Sequence, residues 1–160
     1  MIETLLGLPA HPLIVHAAVV FAPLLVALVV AYSLVPAVRK WTAWAVLGLA
    51  VAAPLALWAA KLSGDAFLQR RIGQGALPEF VQRLQQHQNY GELAAYAGTA
   101  LGVLALLLVY ACTAAGRKPA TTGSRAVTYG TIVLSLAAAA VTGYYIFQAG
   151  HSGANSVWGV

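Results

Sequence analysis

Four histidines carry most of the chemistry this chain can offer: His11, His16, His87 and His151. Imidazoles ligate haem iron, zinc or copper, and they move protons near their unperturbed pKa of about 6.5. Sulfur chemistry is thin. Cys112 is the one cysteine and Met1 the one methionine, which leaves no internal disulfide, no CxxCH haem attachment and no zinc knuckle, and disfavours a soft Cu(I) site. Nothing resembles a hydrolytic triad, a phosphate-binding loop or a paired-carboxylate site. The residues therefore point to a binding or electron-transfer subunit rather than a stand-alone enzyme. Whether four scattered histidines form one site depends on the elements that carry them.

Those elements belong to a membrane. Of 160 residues, 61% are hydrophobic and 8% charged, against about 25% charged in a typical soluble domain. A helix of roughly 20 apolar residues crosses a hydrocarbon core of about 30 Å, and four stretches qualify: Leu13 to Val35, Trp41 to Leu62, Leu93 to Ala115, and Ala126 to Ala149. Lys61 is the one formal charge among them, close enough to an end for its stem to reach the interface. Lipid-exposed backbone must satisfy itself, and long unbroken apolar runs do so as helices. The sequence thus predicts an all-α, integral membrane four-helix bundle, one four-span domain over residues 1–160. The N-terminus, with Glu3 and no basic region, does not read as a cleavable signal peptide.

Nine Lys or Arg against four Asp or Glu give a net charge of +5, which raises the question of nucleic acid until the charges are divided by loop. Arg39 and Lys40 lie between the first two spans, and Arg117, Lys118 and Arg125 between the last two. Glu3, Lys61, Asp65, Arg70, Arg71, Glu79, Arg83 and Glu92 fall on the other side and cancel. The positive-inside rule then places both short hairpins in the cytoplasm, with both termini and the central loop outside. The excess is an orientation signal, so the predicted partners are a lipid bilayer and no nucleic acid. Within the outer loop, Phe80, Val81, Leu84, His87 and Gly91 recur at helical spacing behind Pro78, a good first-turn residue. This predicts an outer-side amphipathic segment between helices 2 and 3, lying on the surface or extending the third span.

Helix association in lipid relies on close packing of small residues. Gly98 and Gly102 form a GxxxG pair that Gly91 and Ala95 continue outward; Gly48, Ala52 and Ala56 are the counterpart in the second span, and Gly130 and Gly143 mark the fourth. Pro23 and Pro54 lie inside the first and second spans, where they favour kinks. There is also an internal echo. Spans one and three start near a His, and spans two and four leave through a Gly followed by a polar residue, Gly64-Asp65 and Gly150-His151. The pattern suggests two hairpins related by an axis along the membrane normal.

With this topology all four histidines fall on the outer side, His16 about one turn inside its span. An ionisable residue inside a span is a functional candidate. His87 shares a helical face with Gly91 and Ala95, and His151 with Phe147 and Gly143, so His16, His87 and His151 are predicted to converge near the outer surface, with His11 beside them. Such a cluster suits b-type haem, with Gly91 and Gly150 making room for a planar edge. It also suits Zn²⁺ or Cu²⁺ on the same histidines with Asp65 as ligand or hydrogen-bond acceptor, or a proton relay. Tyr90, Tyr96, Tyr144, Tyr145 and Trp158 line such a site or form an interfacial belt.

The run Leu8-Pro9-Ala10-His11-Pro12-Leu13-Ile14-Val15-His16, with Gly150-His151-Ser152-Gly153 at the other end, resembles the domain of unknown function 2231 family of bacterial four-helix membrane proteins, known by an HPLxVH opening. Relatives often carry Phe-Pro after the second His, where this chain has Ala17-Ala18, and the usual Gly-His-Gly tail is only loosely kept. Similar domains occur joined to Rieske-type or cytochrome-like modules, so the resemblance implies a redox role in the bacterial inner membrane. The expected function is b-type haem held at the outer (periplasmic) face by His16 with His87 or His151, passing electrons to a redox partner protein there. A non-redox Zn or Cu module or a proton sensor on the same histidines is the alternative, and a homodimer is compatible with either.

Overall fold

A computed structural model describes residues 4–5, 8–115 and 121–158. Four helices follow in order: α1 (Ala10–Leu34), α2 (Arg39–Gly73), α3 (Pro78–Ala115) and α4 (Thr122–Trp158). Ahead of α1, Thr4–Leu5 makes a short backbone pairing with Leu8–Pro9. All four helices are long and apolar enough to cross a membrane. The chain is a helical, membrane-type bundle in which α1 packs on α2 and α4, and α3 packs on α2 and α4. Glu3, Arg117 and Lys118, which carry part of the charge argument, lie outside the described residues.

Three helices are longer than a bilayer requires. α2, α3 and α4 have 35, 38 and 37 residues, or more than 50 Å at about 1.5 Å per residue, against a core of about 30 Å. The surplus lies mostly at the end that carries the start of α1, the α2–α3 turn and the end of α4. There α2 runs on from Leu62 to Gly73, and α3 is one continuous helix from Pro78. The segment after Pro78 is therefore the extension of the third span. What reads in sequence as a long outer loop is mostly helix, and the real turn is Gln74 to Leu77.

Local chemistry sets these ends. Gly75 has φ +75°, a conformation glycine adopts without penalty, and the Gly75 and Ala76 amides donate to the carbonyls of Ile72 and Arg71. Pro78 then opens α3, with Glu79 in its first turn, where an acidic group complements the helix dipole. At the opposite end Arg39 closes the first hairpin by donating to the carbonyls of Tyr32 at 2.8 Å and Ser33 at 3.0 Å. These acceptors at the C-terminus of α1 have no intrahelical partner. Thr121 and Ser124 hydrogen-bond reciprocally at the start of α4, as in a capping box.

The GxxxG pair packs as its spacing predicts, although its partner face differs from the expected one. Gly98 and Gly102 are buried against α2. A Cβ on Gly102 would come within 2.5 Å of the Ala50 carbonyl oxygen and 3.0 Å of Pro54 Cγ. The face of α2 that receives them is Val46, Ala50, Ala53 and Leu57, whereas Gly48 is exposed with nothing within 4 Å. Gly130 is likewise open. Composition identifies small residues, but only the actual helix rotation decides which of them meet a neighbour. Exposed aromatics ring the bundle at two levels: Trp41, Trp44, Tyr110 and Tyr129 at one end, Tyr96 and Tyr144 nearer the other, as expected of interfacial belts.

Gly102→Ala must push α2 from α3 at a rigid backbone atom, and a loss of about 1–3 kcal/mol is expected. Gly48→Ala is expected to be neutral or slightly stabilising, by up to about 1 kcal/mol. Thermal unfolding of the two variants in detergent checks the contrast.

Candidate functional site

The helix extensions enclose a cavity of about 680 Å³, inside the range of about 300–1,000 Å³ typical of small-molecule and cofactor sites. Its wall is mostly apolar, with Val15, Leu57, Phe67, Leu84, Ala94 and Ile146 among the lining residues, and its polar groups are few: His11, His87, Gln88, Lys61, Arg71 and Ser156. All four helices contribute. The cavity lies at the same end as the turn between α2 and α3.

His11 and His87 face each other across it, with ring centroids 6.3 Å apart and planes at 71°. His11 comes from the first turn of α1, and its Nδ1 lies 3.0 Å from Ser63 Oγ on α2. Ser63 Oγ donates to the Ala60 carbonyl at 2.9 Å, so its lone pair accepts from the imidazole and the proton resides on His11 Nδ1. His87, from the extension of α3, donates through Nδ1 to the Ala149 carbonyl on α4 at 2.9 Å and lies 3.3 Å from Ser152 Oγ. A carbonyl can only accept, which fixes the same tautomer. Both Nε2 atoms thus carry lone pairs, and no hydrogen bond among the described residues engages either.

The two half-sites are built alike. A Cβ on Gly64 would come within 3.1 Å of the His11 ring, and one on Gly153 within 3.0 Å of the His87 ring. Each imidazole therefore packs its Cε1 side against a glycine whose preceding residue is its hydrogen-bonding serine. Ser63-Gly64 and Ser152-Gly153 are the two Ser-Gly dipeptides of the chain, one on the second helix of each hairpin. The residues that play matching parts in the two hairpins are these dipeptides, not Gly64-Asp65 and Gly150-His151. Each imidazole has a backbone acceptor besides its serine, Ala60 for His11 and Ala149 for His87, and His11 in addition stacks on the Phe67 ring at 6.1 Å and 24°.

The other expected site residues lie elsewhere. His16 is exposed, its Nδ1 2.6 Å from the Pro12 carbonyl one turn back. His151 is exposed on α4, stacked on Phe147 and 3.3 Å from Asn155 Nδ2. The predicted convergence of His16, His87 and His151 does not form. Helical phase explains it: His16 lies five residues after His11, half a turn out of register on a helix of about 3.6 residues per turn, and His151 precedes by two the glycine that faces His87. Gly91 and Gly150 both line the cavity. Asp65 is committed to Lys61 at 2.6 Å and to the Gln88 amide. Among the described residues no group of three or more His, Cys, Asp or Glu is placed to hold a metal ion. Of the aromatics, Tyr96 packs edge-on against Trp58 and Tyr144 against Tyr145, and none of the five expected ones lines the cavity.

A four-helix, multi-pass membrane protein with a histidine-walled cavity at one end is the class these features define. The family model described as "Predicted membrane protein (DUF2231)" matches residues 7–160, and the chain belongs to that family. Comparison with curated proteins and with solved structures found no match.

His11 precedes the apolar stretch of α1, and His87 lies in the polar extension of α3, so both sit outside the spans. Burial pushes both imidazoles below their ordinary 6.5, and His87 lowers His11 further. The neutral forms are favoured in the folded protein, whereas the unfolded chain takes up protons first on acidification. Stability is therefore full above about pH 6.5 and falls as the pH drops below it toward the folded-state values. Melting temperatures in detergent are expected to decline from about pH 8 to about pH 5, and to decline less in His87→Gln.

Proposed function

We propose that the cavity holds b-type haem with His11 and His87 as its two axial ligands, and that the protein transfers electrons at that end of the bundle. The observation that carries this reading is the pair of imidazoles, each tied through Nδ1 and uncommitted at Nε2. A metal-ligating histidine characteristically donates its other N–H to a carbonyl or similar acceptor, which fixes its tautomer and ring orientation. The separation also fits. Metal–imidazole bonds of about 2.0–2.1 Å, with the remaining reach from nitrogen to ring centre on each side, bring two centroids across one metal to roughly 6.3 Å, and the observed value is 6.3 Å.

Haem suits two histidines better than a bare ion does. Structural zinc takes four protein ligands and catalytic zinc three, and the described residues assemble no such group. A porphyrin brings four nitrogens of its own and needs only the axial pair. The apolar wall and the open approach beside Gly91 and Gly150 accommodate a planar macrocycle. When bound, haem supplies a one-electron couple. The chain's part is to fix the imidazole tautomers through Ser63 and Ala149, exclude water with Leu84, Leu57 and Ile146, and keep both ligands unprotonated.

The basic hairpin residues place this end outside the cytoplasm by the positive-inside rule, so we place the protein in a bacterial inner membrane with both termini and the cavity on the outer side. A redox partner would dock there.

The test is the visible spectrum of the full chain purified in detergent after haem-replete expression. A Soret band with sharp α and β bands on dithionite reduction is expected. His11→Ala and His87→Ala should each abolish the six-coordinate spectrum, whereas His16→Ala and His151→Ala should retain it. A colourless protein carrying stoichiometric zinc or copper overturns the haem reading, and an intact spectrum in His11→Ala removes that residue from the site.

A further inference from the structure

We propose that Arg71 is the anchor for a carboxylate-bearing edge of the cavity's ligand, so that the ligand is an amphipathic acid and not a wholly apolar disc. The inference rests on the haem reading and identifies what the cavity recognises beyond the metal. On α2, Gly64, Phe67 and Arg71 follow at spacings of three and four and all line the cavity, so they form one stripe rising from the His11 contact toward the mouth. At about 1.5 Å per residue, Arg71 stands roughly 10 Å above Gly64 along the helix.

The guanidinium is held in place by aromatic faces. It lies 5.1 Å from the Phe67 centroid on its own helix and 6.0 Å from that of Phe80 on α3. Phe67 in turn stacks on His11, which makes a ladder from the imidazole to the cation. Ring contacts at these distances use none of the guanidinium N–H donors, which can receive a carboxylate through two parallel hydrogen bonds. Lys61, the other cation on the cavity wall, is already paired with Asp65. Among the described residues no carboxylate pairs with Arg71. Arg71 is exposed at the edge of the cavity wall, so an acid with its charge beside the guanidinium and its apolar body against Leu84 and Leu57 matches the wall at both levels. Protoporphyrin, with two propionic acid groups on one edge, has that chemistry.

The bland role for Arg71 is to complement the C-terminal dipole of α2, which requires charge but no ligand selectivity. The two roles separate on titrating the full chain, expressed under haem depletion and purified in detergent, with iron protoporphyrin IX and with its dimethyl ester. The unaltered protein is expected to hold the diacid about tenfold more tightly than the ester, the effect of one charge-assisted contact. Arg71→Gln should bind the two equally while keeping the bis-imidazole spectrum, and Arg71→Lys, which keeps charge but lacks the fork, should fall between them. Equal binding by the unaltered protein, or an undiminished preference in Arg71→Gln, overturns the inference while leaving the haem reading intact. No bis-imidazole spectrum with either porphyrin overturns both.

Discussion

The contact of Gly102 with the Ala50 carbonyl, and of Gly98 with Leu57 just above it, holds the two hairpins of this bundle together. In lipid there is no hydrophobic gain from bringing two apolar helices together, so association depends on how closely backbones approach. α2 and α3 are consecutive along the chain but belong to different hairpins, and their approach decides the distance between everything the hairpins carry. Leu57, Ala94 and Ala95 stay buried on the way outward, and the helices then enclose the cavity. A wider α2–α3 spacing would leave His11 and His87 as two unrelated imidazoles.

Given that spacing, each hairpin supplies half of a site by the same device: a histidine on its first helix rests on a Ser-Gly dipeptide of its second. The serine or an adjacent carbonyl takes the Nδ1 proton, and the glycine lets the ring lie against the helix. Burial favours the neutral imidazoles, so their free Nε2 lone pairs are not lost to protonation.

The helix extensions connect membrane topology with site chemistry. A span needs about 20 residues, and the residues of α2 and α3 beyond that length carry Ser63, Gly64, Phe67, Arg71, Phe80, Leu84 and His87. Of these, Arg71 and His87 would be costly at the bilayer centre and are tolerable at its surface, where the charged rim meets water. The cavity thus combines a low-dielectric interior with a polar mouth, the arrangement a ligand with an apolar body and an acidic edge requires.

Much of this was legible in the residues themselves. Four apolar runs dictate four helices because lipid leaves the backbone no other partner, and the Pro78 periodicity announces the extension of α3. The GxxxG pair marks the close approach, and the HPLxVH opening indicates the family. The sequence also points to histidines at one end of the bundle, but not to which two share the cavity. His16 looked the stronger candidate because it lies inside a span, yet half a turn of helical phase points it outward, while His11, at the helix start, reaches Ser63. Likewise Gly48 and Gly102 are equivalent as letters, and only the rotations of α2 and α3 leave one exposed and set the other against a carbonyl. Composition and periodicity determine which helices exist and where they enter the membrane. Which faces meet, and so which imidazoles share a cavity, is decided by packing between segments more than fifty residues apart, a relation that no local spacing encodes.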